Sequence, residues 1–380
     1  MRREKSGGRC YGAPVIAARL RLVPLLVVAC QGGGPSVGDA GTSTGMGSSS
    51  TSPGTSTSLT TGEDDASGDS GAPTSETTDG ASTTDAGTTD ASTTDALTTG
   101  ATTGAGTTGE PMLVCPVVDD PVAAAGLDDE DIAEASGLVA SRTQPGVFWL
   151  HNDSGDGARF FAVDAGGQRI GVFNVGGAEA VDWEDMSSGP GPKPGEYLYF
   201  GDIGDNGEER DKVTVYRVPE PDAAAAGGGE VDLADVEIID LVYPDEAHNA
   251  ETLIVDPQTG DLVIVAKGDP TRVFLRPGPV EAGGPYVLEE VAPIDFSPVV
   301  ATGGDISPGG EFIAVRTYTV ALLWLRPPGT SIAEAFASEP CEIPLAFELQ
   351  GEALSFAGDG SGYYTLGEGS DVPLYWYAFQ

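Results

Sequence analysis

Residues 251–265 read Glu251-Thr252-Leu253-Ile254-Val255-Asp256-Pro257-Gln258-Thr259-Gly260-Asp261-Leu262-Val263-Ile264-Val265. Two runs of Leu, Ile and Val flank a turn of Asp, Pro, Gln, Thr and Gly, the composition that hairpin loops require. Outward from this hairpin the apolar pattern repeats, so the unit reads as four short strands at 253–255, 262–265, 272–275 and 286–290. The layout recurs along the chain. Segments opening at Ser136-Gly137-Leu138, Glu184-Asp185-Met186, Glu251-Thr252-Leu253, Thr302-Gly303-Gly304 and Glu352-Ala353-Leu354 lie 48, 67, 51 and 50 residues apart. Four-stranded repeats of that period predict an all-β fold, a β-propeller of four-stranded antiparallel blades. Five blades are expected. Six is the alternative, because the 67-residue interval, with its loop insertion at 223–229, has room for an extra hairpin. No long stretch shows the 3.6-residue period of a helix. The last unit ends after three strands, and residues 113–118 are expected to supply its outer strand and close the ring.

The propeller domain occupies 111–380, and what precedes it differs in kind. Residues 1–29 carry six Lys and Arg against one acid and end in an apolar run. That is the design of an export signal, and the run is too short to span a bilayer. Val27-Val28-Ala29-Cys30 resembles the lipobox of bacterial lipoproteins. The resemblance implies an acyl anchor on Cys30 that holds the protein to a lipid bilayer. Gln31 in the next position implies onward transport to the outer membrane or cell surface; with the lipobox unused, the protein would be secreted. Residues 30–110 are rich in Thr, Ser, Gly and Asp, with 11 acids and no Lys or Arg. Such a segment buries too little apolar surface to offset its ordering entropy and reads as a disordered tether. Its r.m.s. span would be roughly 50 Å. Gly68-Asp69-Ser70-Gly71 within it looks like a serine-protease nucleophile motif but lacks a packed context for a triad.

The whole chain has a net charge of −41. Of its 59 acids, 47 fall in the propeller, against 12 Lys and Arg, so the folded part carries most of the acidity. This excludes nucleic acid as a partner, since no basic stripe exists to displace counterions. It also disfavours adsorption to anionic head groups. Cys10 leaves with the signal and Cys30 takes lipid, so Cys115 and Cys341 remain to pair in an oxidising exterior.

Ser136-Gly137-Leu138, His151-Asn152-Asp153-Ser154-Gly155, Asp182-Trp183-Glu184-Asp185 and Gly201-Asp202-Ile203-Gly204-Asp205-Asn206 resemble segments of exported bacterial propellers of the phytase-like (esterase-like) family. They are more distantly similar to gluconolactonase-like propellers. In the latter, a strand-initial Glu helps bind a divalent metal in the central channel. The resemblance therefore implies metal ligation by Glu184, Glu251 and Glu352, whereas Ser136 and Thr302 depart from the acid at the other two positions.

In a four-stranded blade, the start of the innermost strand and the second turn share one face. Sorted this way, His151, Asn152, Asp153, Asp182, Glu184, Asp202, Asp205, Asn206, His248, Glu251, Lys267, Arg316 and Glu352 fall on that face. The opposite turns, such as Pro308-Gly309-Gly310, are ordinary. Binding residues concentrate on loops of a rigid scaffold. Asn152, Asp153, Asp202, Asp205 and Asn206 supply the oxygens that Ca²⁺ or another divalent cation takes, or they form Asx turns that cap strand ends. Zinc is disfavoured by two histidines far apart in sequence. His151 and His248 are candidate general bases, or else structural imidazoles. Lys267 and Arg316 are candidate anion or ligand contacts, or else neutralise the Glu ring. Trp183 is expected between blades. Two functions remain: a monomeric membrane-anchored binding or scaffold module for a small-molecule or surface ligand, and a metal-assisted hydrolase of a phosphoester, ester or lactone.

Overall fold

Each of the five innermost strands carries a β-bulge at the same place. The register slips at Ser136 in Ala135–Ala140, Glu184 in Trp183–Pro190, Glu251 in Ala250–Val255, Thr302 in Ala301–Ile306 and Glu352 in Gly351–Phe356. A bulge re-aims one side chain relative to the pleat, so the repeat read from the sequence is also a repeat of backbone geometry. The computed structural model describes residues 112–295 and 300–380. The 1–29 signal, Cys30 and the 30–110 tether lie outside the described residues.

Five sheets form a five-bladed β-propeller. The innermost strands crowd together at the axis, and small residues make this feasible. A Cβ on Gly303 would overlap the Glu352 carbonyl, and one on Gly351 would overlap the Arg316 guanidinium. These strands also present unpaired N–H groups to their neighbours, and buried side chains satisfy them. Asp185 accepts from Leu253 N–H at 3.0 Å, Ser187 Oγ from Val255 N–H at 3.1 Å, Asp305 from Phe356 N–H at 2.8 Å and Ser355 Oγ from Ala140 N–H at 3.0 Å. Blade two is thus bonded to three, four to five, and five to one.

Between blades the packing is aromatic. Trp183, fully buried, stacks on Phe200 at 5.0 Å within a cluster that includes Trp149, Phe160 and Phe173. On the face away from the bulges, the first turns of blades one, three, four and five each hold a glycine at φ 73–82°: Gly146, Gly260, Gly310 and Gly360. L side chains rarely adopt that conformation.

Three expectations are corrected. The ring is closed by Val122–Asp128 pairing with Asp371–Ala378; within 113–118, Val118 makes a single bridge to Phe379. Segment 286–290 is divided: Gly283–Val287 adds in parallel to the outer edge of blade two, and Glu289–Ile294 is the fourth strand of blade three. The expected five blades stand, but two of them have five strands where four were expected. After 223–229, Glu230–Leu233 runs parallel to the outer strand of blade one and makes its fifth strand, as Gly283–Val287 does for blade two. Pairing decided these cases, because a short exposed strand can join either neighbouring edge. Cys115 and Cys341 form a disulfide. It ties the segment ahead of the closing strand to Cys341–Ile343, the outer strand of blade four.

Candidate functional site

Two rings of equivalent positions meet at one end of the channel. The bulge ring is Ser136, Glu184, Glu251, Thr302 and Glu352. The second ring holds the residue that follows the last paired position of each second strand: Asp153, Ile203, Lys267, Tyr318 and Glu368. Where a bulge side chain is neutral it bonds to the next blade: Ser136 Oγ donates to the Glu184 carbonyl, and Thr302 Oγ1 to the Gly351 carbonyl at 2.9 Å. The three glutamates lack such an outlet.

Asp153, Asp182 and Glu184 converge, with one carboxylate oxygen from each within 4.8 Å of the other two. Gly204 makes room for them, since a Cβ there would overlap both Glu184 and Asp182. Burial pushes Glu184 far above the usual carboxylate range, and Glu251, Asp153 and Asp182 push it further. Asp153 and Asp182 are also raised, burial again leading. Glu352 is pushed up to about 8 by burial and by Glu251 and Glu368, and Glu368 to about 7 by burial and by Asp153 and Glu134. Tyr318, against Glu352, is raised too, chiefly by burial. Buried carboxylates at this spacing hold protons unless a cation is present. Lys267 pairs with Glu251. Burial disfavours its charge, yet Glu251, Glu184 and Glu352 leave its pKa raised.

The remaining candidates lie nearby but face other partners. Asn152 fastens the 129–134 turn, donating to the Asp131 carbonyl at 2.7 Å. Asp202 accepts from Asp182 N–H at 3.1 Å and pairs with Arg210 at 2.8 Å. Asp205 accepts from Glu209 and Arg210 N–H within the loop of blade two, and Asn206 accepts from Asn249, at the entry to blade three, at 3.3 Å. His151 is fully buried opposite Gly137, its Nδ1 2.8 Å from the Asn152 carbonyl oxygen and its Nε2 without a partner. Burial lowers its pKa. His248 lies 3.0 Å from Asp245 and packs on Tyr243 and Phe274. Arg316 is fully buried on Glu348 at 2.8 Å. Sorting by face therefore located the mouth but did not separate carboxylates that point into it from those that build its loops. Tyr318 was missed. Its signal is positional, since it occupies the same register as Lys267 and Glu368.

The sequence matches no protein family profile and no curated protein. Among solved structures, a chain of one described as the crystal structure of the mitotic checkpoint complex matches at 11% identity. The match covers 64% of this chain and 61% of that one, with a TM-score of 0.33, and carries no argument.

Proposed function

We propose that this protein is an exported lipoprotein, anchored through Cys30, whose propeller binds a divalent cation at the channel mouth and serves as a binding module. The convergence of Asp153, Asp182 and Glu184 within 4.8 Å carries this reading. The donor set is all oxygen, which suits Ca²⁺ or another hard cation and does not suit zinc. Cation binding would offset the burial and the neighbouring charge that raise each carboxyl. Neither histidine supports a hydrolytic base: His151 is enclosed, and His248 is engaged by Asp245 and lies against Arg272. The test is calorimetric titration of EDTA-treated protein with Ca²⁺, Mg²⁺ and Mn²⁺. Saturable binding lost in Asp182→Asn supports the reading; heat unchanged by that substitution refutes it.

One observation favours the hydrolase as a second reading. Glu352, held at about 8, carries a proton at neutral pH beside Tyr318, as a general acid must. Turnover of a phosphoester, ester or lactone panel, abolished in Glu352→Gln with the fold retained, would establish it.

A further inference from the structure

The loop 344–350 leads from blade four into the innermost strand of blade five, on the same face as the mouth. It alternates. Glu348 points inward and is 9% exposed, while Phe347 and Leu349 on either side are 89% and 83% exposed. The inward carboxylate is fixed by Arg316 at 2.8 Å and by the Thr365 hydroxyl at 3.0 Å. Tyr377 accepts from Ala346 N–H at 2.6 Å, and Gln350 donates to Glu368 at 2.6 Å. Loop and acidic mouth are therefore joined through Glu368. Among the described residues only Met112 is a comparably exposed large apolar side chain, so the ion pair orders a loop that leaves both Phe347 and Leu349 in water. Val181, 55% exposed in the connection between blades one and two, lies on the same face.

We propose that Phe347 and Leu349 form a docking surface for a cationic protein segment that carries apolar residues between its Lys or Arg side chains. Charge selects the occupant. Glu134 stands near Glu368 beside the loop, and across the domain as a whole acids far outnumber Lys and Arg. A second copy of this domain, with 47 acids and 12 Lys and Arg, brings like charge. An anionic bilayer does the same. Residues 31–110, with 11 acids and almost no large apolar side chain, do not supply the matching chemistry. A basic, apolar segment gains both area burial and electrostatic steering.

The test titrates full-length protein in EDTA into a fluorescent peptide of alternating Lys and Leu, read by anisotropy. Because EDTA removes cations, failure of the cation reading leaves this result untouched. The expected result is saturable binding that weakens with salt and falls about tenfold or more in Phe347→Ser/Leu349→Ser. The same change at Val287, exposed on the outer edge of blade two, leaves binding unaltered. Binding that the double substitution does not change overturns the proposal, as does equal affinity for a Glu/Leu peptide. Sedimentation with phosphatidylglycerol vesicles that requires Phe347 and Leu349, with no peptide binding, would assign the surface to membrane. Self-association lost in the double variant, again without peptide binding, would assign it to a second copy.

Discussion

The Lys267 ammonium rests on the Glu251 carboxylate, inside a ring whose other charged members are acids. Lys267 is thus an internal counterion, holding a place that an external cation would otherwise take. Lys267→Met should lower stability in EDTA by up to about 3 kcal/mol, since it leaves a mostly buried carboxylate uncompensated. It should also tighten Ca²⁺ binding by about tenfold or more, because a repelling charge has gone. Melting curves with and without Ca²⁺ check both. A variant equally destabilised under both conditions would place Lys267 outside the cation's reach.

The mouth also predicts an inverted pH response. Glu352 and Glu368 are held at about 8 and about 7, above their ordinary 4.5. Between these values the folded chain retains protons that the unfolded chain has released. The stability from these protons is fully present below about 4.5 and is lost as pH rises through 7 and 8. In EDTA the melting temperature should therefore fall from pH 5.5 to pH 8.5, at about 2–4 °C for each kcal/mol lost. Saturating Ca²⁺ should flatten that fall by replacing protons with metal. A melting temperature that rises over this range would contradict the assignment.

Asp185 shows why a carboxylate near a channel is not automatically a ligand. One residue past Glu184, it is fully buried and accepts N–H groups from Met186, Leu253 and, at 3.4 Å, Gly304. Burial raises its pKa while these donors oppose the shift. Asp185→Ala should cost about 1–3 kcal/mol by stranding a buried donor. Cation affinity should not change. A calorimetric titration of the variant, done below its lowered melting temperature, separates the two effects.

The contrast between Glu184 and Asp185 marks what the sequence made legible. The five starts at Ser136, Glu184, Glu251, Thr302 and Glu352 were readable because each opens an apolar strand followed by a Gly- and Pro-rich turn, a layout that recurs in every blade. The Cys115–Cys341 pair was readable for a different reason, because only two cysteines remain in the folded part. What failed to show was contact between loops of different blades. Asp182 and Asp202 are both acids on one face, yet Asp182 joins the cluster while Asp202 caps the loop behind it. No local pattern distinguishes them, since the choice is made by the Gly204 backbone and Arg210. The closing strand was misplaced for another reason: 113–118 and 122–128 are both short, mixed segments, and only pairing with 371–378 selects between them.

The disulfide joins residues 226 apart in sequence and braces the seam where the chain closes on itself. Chain-entropy arithmetic puts its contribution at up to about 5.4 kcal/mol. Reduction, or Cys115→Ser/Cys341→Ser, should lower the melting temperature and leave 112–121 open to proteases, because that segment makes little ladder of its own. Limited proteolysis with and without reductant reads this directly. Equal cleavage rates would mean that Val122–Asp128 holds the seam without help.

Gly204 offers the sharpest test of the site, because it separates geometry from charge. A side chain there would overlap the Glu184 and Asp182 carboxylates, and it need not displace a hydrophobic neighbour. Its N–H bonds to the Asp182 carbonyl at 3.1 Å, and alanine keeps that bond. Gly204→Ala therefore changes no charge, yet it should drive the cluster apart and weaken Ca²⁺ binding by about tenfold or more, given the tight geometry that cation sites demand. The fold should survive with a loss of about 1 kcal/mol or less, since two flexible side chains can rotate away. If Gly204→Ala binds Ca²⁺ as the native protein does, the cation is not held between Asp182 and Glu184, and the site belongs deeper among Glu251 and Glu352.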